Sequence, residues 1–305
     1  MSRRTMILLA FALLAAVMIG LFALTGSHGM NTEYQPQNEF KLEDWIAIHL
    51  GGLNLSVNKA VLYLLLACGL TASTMIYVAR RMQERPNKVQ TAVEVIWGVM
   101  RDNIAGPNNI ERQMALRWFP FIGALFLFIL YSNILGYLPL PVNSGETFRL
   151  FGANIPAFQI YAATANISVT LVLALMVWVS YHAVGIRRKG LLNYLKSWLP
   201  AGMDSVPARG FMVPFVFSIE VISHFVRIIS LSVRLFANML AGHLLILFMG
   251  GGLVVLVGVA ALGPLTLIVA TLFFIFEVVL IAGLQAFIFA TLTAIYLGGA
   301  VAESH

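Results

Sequence analysis

Between residues 220 and 242 the polar positions recur at intervals of three or four: Glu220, Ser223, His224, Arg227, Ser230, Arg234, Asn238 and Gly242. At about 100° per residue, this spacing keeps them on one side of a single helix. The surrounding sequence is apolar, and after Arg234 no Lys, Arg, Asp or Glu appears until Glu277. An ionisable side chain at mid-membrane costs at least about 2.5–3.5 kcal/mol on insertion scales, so this edge requires water or charged partners. Carboxylate, imidazole and guanidinium groups along one hydrated edge are the ingredients of ion or proton transfer, with no nucleophile or metal-binding pattern among them.

Two readings of these charges compete. In the first, Glu220, Arg227 and Arg234 neutralise one another as structural ion pairs, and Glu220 also pairs with His224 at i, i+4 or with Ser223 at i, i+3. In the second, Arg234 is functional. It stands 14 residues from Glu220, about 20 Å along a helix axis, so its counter-charge comes from elsewhere. His243 is nine residues past Arg234 and points to the opposite side of the helix. A histidine on an apolar helix is often a satisfied core residue, but a partner at Glu277 would make a pair able to relay protons. Gln285 follows Glu277 along the same apolar stretch.

The elements that hold these residues are membrane spans. Of the 305 residues, 60% are hydrophobic and 10% charged, which excludes an ordinary soluble domain. The net charge of +6 is spread in short clusters beside apolar runs, as topology signals are, so nucleic acid is not a partner. The lone Cys68 excludes an intrachain disulfide and a multi-cysteine metal site, and reads as a small core residue.

Runs of about 20 apolar residues suffice to cross a hydrocarbon core of about 30 Å. They occur at Met6 to Leu24, Ala60 to Ala79, Trp118 to Leu138 and Ala157 to Val184. The first, with residues 1–26, fits either a cleaved signal peptide or an extra anchor; residues 27–305 form a single membrane domain. The last region divides at Gly250–Gly252 and at Gly263 and Pro264 into a helical hairpin with arms 210–249 and 264–298. Those arms would be roughly 60 and 50 Å long, so they should tilt steeply. Lys and Arg number seven in residues 80–117 and five in 187–209, against two in 25–59 and one in 139–160. The rich segments face the cytoplasm. Residues 86–104 place Val89, Val93, Ile96, Val99, Met100 and Ile104 at helical spacing, an amphipathic helix at the cytoplasmic interface. The expected fold is an all-α membrane protein with five to six transmembrane helices, this surface helix and the tilted C-terminal hairpin.

The stretch "SLSVRLFANMLAGH", residues 230–243, resembles the signature of subunit a of the F-type ATP synthases. "WFPFIGALFLFILYSNILGYLP" from Trp118, "ANISVTLVLAL" from Ala165 and "LQAFIFATLTAIYLGGA" from Leu284 resemble the same family in the same order. The likeness implies a non-catalytic, proton-translocating stator of the bacterial inner membrane, with no cofactor and no metal. Its implied partners are the c-ring, the subunit b stalk and, indirectly, the F1 head. It implies two offset aqueous half-channels that reach a c-ring carboxylate, with Arg234 separating them and the hairpin facing the ring. By the same resemblance Glu220 and His243 match inlet-channel positions, Asn238 a polar residue one turn from the arginine, Gln285 a glutamine that places it, and Glu277 a relay acid. Ser223 and Ser230 match channel-side positions.

The sequence departs from the family in places. Glu277 and Gln285 are eight residues apart where seven is expected, a shift of about 100° on a regular helix. Gly136 and Asn166 stand where some relatives carry acids, leaving Asn133, Asn166, His243 and water as substitutes. A secondary transporter is the alternative reading, though it would show two related halves and broken helices. A haem subunit is a weaker rival, since the histidines at 28, 49, 182, 224, 243 and 305 do not suggest matched pairs on two spans.

Overall fold

Hydropathy and helix length dominate the architecture, seen here in a computed structural model. The structure describes residues 3–25, 40–42, 44–50, 53–54, 56–81, 87–88, 90–91, 93–94, 98, 112–150, 153–199, 209–252, 254–255 and 262–301. Among them, six helical stretches are long and apolar enough to cross a membrane. The helices are α1 (Arg3–Thr25), α2 (Lys59–Arg80), α3 (Arg112–Gly136), α4 (Ile167–Lys189), the short α5 (Leu191–Lys196), α6 (Arg209–Leu247), α7 (Gly263–Phe276) and α8 (Ala282–Val301). A π-helical turn, Phe248–Gly252, extends α6, and a second one, Glu277–Ile281, joins α7 to α8. The last two spans, Gly210–Gly252 and Gly263–Val301, have 43 and 39 residues. Each is far longer than the roughly 20 residues an upright crossing needs.

Local chemistry sets the helix ends. Asn58 Oδ1 accepts the Val61 N–H at 3.2 Å and starts α2, and Asn166 Oδ1 accepts the Ser168 N–H at 2.9 Å and starts α4. Both satisfy N–H groups that a helix leaves open. Arg187, Arg188 and Lys189 fill the last turn of α4, where cations suit the helix dipole. Gly190, with φ of +76°, ends α4 and starts α5, a conformation that glycine adopts without penalty.

The fourth apolar run begins later than its hydropathy implies, at Ile167 and not Ala157. Residues Ala153–Gln159 are instead a strand, paired antiparallel with Leu140–Leu150. A short apolar run does not reveal its period, so hydropathy alone does not distinguish this strand from the start of a helix. With the short strands His49–Leu50 and Leu53–Asn54, these make β1 to β4 in chain order. Lys59, buried at the start of α2, donates to Gln159 Oε1 at 3.0 Å and lies 4.9 Å from the centre of the Tyr161 ring. The hairpin's end is thereby tied to α2.

Two compact units are present, one of residues 1–62, 136–162 and 238–282, the other of 63–135, 163–237 and 283–305. In the second, Thr74 Oγ1 and Tyr131 Oη lie 2.9 Å apart and join α2 to α3. Cys68, expected in the core, is exposed; on an apolar span the outer face is as apolar as the interior, so a small thiol is accommodated there without penalty. Of the expected amphipathic helix, Lys88, Gln90, Thr91, Val93, Glu94 and Gly98 are helical. Val89, Ile96, Val99, Met100 and Ile104 lie outside the described residues.

Candidate functional site

The polar edge lies on α6, whose helix is continuous from Arg209 to Leu247. Near its start the expected local pairing is present. Arg227 lies 3.5 Å from Glu220 Oε1 and 5.3 Å from the centre of the Tyr296 ring, and His224 Nε2 lies 3.8 Å from the same oxygen. Arg234 differs. It is exposed and, among the described residues, has neither an ion pair nor a hydrogen bond. Ser230 and Asn238 are exposed on the same helix, and Ser223 is half-buried. Gln285 is buried, and among the described residues no hydrogen bond joins it to Arg234.

His243 belongs to the first unit, where it is 1% exposed. Its Nδ1 lies 2.9 Å from Met239 O and its Nε2 3.0 Å from Gly136 O. Both neighbours are carbonyls, so a neutral imidazole, with one N–H, satisfies one of them and an imidazolium satisfies both. The Tyr137 ring stacks on His243 at 4.5 Å, and its hydroxyl donates to Glu277 Oε2 at 3.1 Å. Phe40 closes another side, ring edge to face at 6.4 Å. His243 and Glu277 therefore share Tyr137, a residue that the spacing of the polar positions does not single out.

Glu277 is buried and opens the π turn Glu277–Ile281. A π turn closes with an i to i+5 hydrogen bond and so holds one residue more than an α turn. The extra residue between Glu277 and Gln285 is accommodated there.

Asn166, Gly136 and the expected substitute Asn133 all have structural partners. Asn166 caps α4. Asn133, fully buried, accepts from Thr164 Oγ1 at 2.8 Å. Gly136 offers its carbonyl to His243, and a Cβ there would collide with Ala162. The expectation that the histidines do not pair across spans is corrected: the rings of His182 on α4 and His224 on α6 lie 4.8 Å apart. Span-to-span register, which brings them together, is not visible in sequence.

Long apolar helices, one of which carries a polar, partly charged edge, define a polytopic membrane protein. Residues 61–298 match the family model described as ATP synthase A chain. The chain is 37% identical over 257 residues to ATP synthase subunit a of Rubrobacter xylanophilus, covering 84% of this chain and 88% of that one. It is 34% identical over 278 residues to ATP synthase subunit a of Maricaulis maris, covering 88% and 98%, and 33% identical over 277 residues to ATP synthase subunit a 1 of Brucella anthropi, covering 88% and 98%. The chain belongs to the ATP synthase A chain family, the proton-conducting, non-catalytic membrane subunits of the F0 sector. This sets aside the transporter and haem readings.

Proposed function

We propose that Arg234 separates two aqueous half-channels that reach a carboxylate on a neighbouring c-ring from opposite faces of the membrane. The observation that carries this is the exposed guanidinium without a partner among the described residues, beside an Arg227 that does have one. A cation on an apolar span needs a counter-charge, and a carboxylate from a rotor helix supplies it. A guanidinium keeps its proton, so it attracts each passing carboxylate and blocks a direct proton leak. A membrane potential worth about 2.3 kcal/mol per charge per 100 mV then drives rotation.

Each half-channel has its own residues. His182, in contact with His224, lies a few residues before the basic end Arg187–Lys189 of α4, the end the positive-inside rule assigns to the cytoplasm. We therefore put Glu220 and His224 on the cytoplasmic path, a change from the inlet position that resemblance implied for Glu220. His243 touches Gly136, at the end of α3 remote from Arg112 and Arg117. His243, Tyr137 and Glu277 accordingly serve the outer path, while Asn238, one turn from Arg234 on α6, and Gln285 keep the roles toward the arginine that the resemblance implies. The long hairpin spans suit a tilted surface lying along the ring, and the b stalk and F1 head complete the complex.

Arg234→Ala is expected to abolish ATP-driven proton pumping in inverted vesicles while the detached head still hydrolyses ATP. Normal pumping in that variant overturns the separator role.

A further inference from the structure

In the second unit, α4, α5 and α6 bury two imidazoles against each other. His182 and His224 are 9% and 6% exposed, with ring centres 4.8 Å apart. Each is held through Nδ1 by a tyrosine: His182 to Tyr194 Oη at 2.6 Å, and His224 to Tyr181 Oη at 2.9 Å. Each ring thus keeps Nε2 for exchange. His224 Nε2 is buried with no hydrogen-bond partner among the described residues and lies 3.8 Å from Glu220 Oε1, a gap that a small movement of the partly exposed Glu220 closes.

The seat is built for this arrangement. Gly190 turns the chain so that α5 returns along α4, with the Tyr194 N–H donating to Gly190 O at 2.9 Å. A Cβ on Gly185 would collide with the Tyr194 ring, so the glycine admits the tyrosine. Burial pushes the Tyr194 phenol above its ordinary range, so it remains a neutral hydroxyl that can donate or accept. Trp178 meets His182 and Trp198 meets His224, each with ring centres 4.4 Å apart. Among the described residues, the titratable and charged groups facing the pair are Glu220 and Arg227 on α6, Tyr181 on α4, Tyr194 on α5 and Tyr296 on α8.

We propose that His224 and His182, seated by Tyr181 and Tyr194, carry protons between Glu220 and the basic, cytoplasm-facing end of α4. The proposal rests on the stator reading above, with Glu220 on the cytoplasmic path. When a tyrosine oxygen accepts from Nδ1–H, Nε2 is free to take a proton; when the hydroxyl donates to Nδ1, Nε2–H is ready to give one. Each step breaks one O–H or N–H bond and makes another, and the net change is one proton moved. Two like charges at this separation repel, so the pair carries one proton at a time.

The test uses the intact ATP synthase in inverted vesicles, with pumping measured first and passive proton conductance after the head is stripped. His224→Gln and His182→Gln keep an amide for the tyrosine but cannot carry a proton. Each is expected to lower conductance by roughly tenfold, short of the about 10²-fold effect of a proton-transfer group with no bypass. Each also flattens the dependence of conductance on cytoplasmic-face pH, because a glutamine amide has no proton to exchange. Tyr194→Phe is expected to cost about threefold, the worth of one neutral hydrogen bond. Phe217→Leu, which loosens the stack on Trp198, leaves conductance and pH profile at wild type. Wild-type conductance and pH profile in both glutamine variants, with Arg234→Ala inactive, overturns the relay alone. Loss of the same size in Phe217→Leu also overturns it, by making the cluster mere packing. Pumping retained in Arg234→Ala overturns the stator reading and the relay with it.

Discussion

The Glu277 carboxyl occupies the space that a Cβ on Gly242 would need. Gly242 thus ends the polar edge of α6 by admitting an acid from the returning arm. Gly242→Ala is expected to displace Glu277, at an overpacking cost of about 1–3 kcal/mol, and to slow ATP-driven pumping. Glu277→Asp, one methylene shorter, should restore part of the rate in the double variant. Pumping assays on the single and double variants check this, and additive losses would show that the two positions do not share the space.

The π turn Glu277–Ile281 makes a second test. Val279 is an exposed residue within it. Deleting Val279 brings Glu277 and Gln285 to the seven-residue spacing and lets the turn close as an α turn. Pumping should survive this deletion and fail on insertion of one Ala after Val279, which adds about 100° with no turn to absorb it. The opposite order of activities would show that the turn does not set the register.

At the end of α3, Gly136→Ala is expected to force Ala162 away and to disturb the carbonyl that His243 meets. Proton flux should fall, and Ala162→Gly should recover it by removing the collision. A Gly136→Ala variant that conducts normally without the second change would refute the fit described here.

Tyr137→Phe keeps the ring on His243 and removes the hydroxyl from Glu277. The loss of one hydrogen bond, about 0.5–1.5 kcal/mol, predicts a few-fold slower ATP-driven pumping with no change in the amount of assembled complex. Tyr137→Ala, which also removes the stack, should slow it further. Equal rates in the two variants would assign the effect to packing alone.

Helix periodicity and hydropathy are local properties, and what depends on them was legible in the chain. The spans near 60–79, 118–138 and 210–298 and the single polar edge from Glu220 to Gly242 follow from residue type and spacing. So does the isolation of Arg234 from any acid of its own segment. The relations that make a site are not local. Tyr137 and Glu277 are 140 positions apart, and His243 and Gly136 are 107 apart. Their meeting depends on how whole helices pack. The pairing of His182 with His224, the strand at 153–159 in place of a helical start, and the π turn that absorbs one extra residue were likewise decided by tertiary structure. Residue order constrains each helix face; only packing selects which faces meet and which backbone irregularity lets them do so.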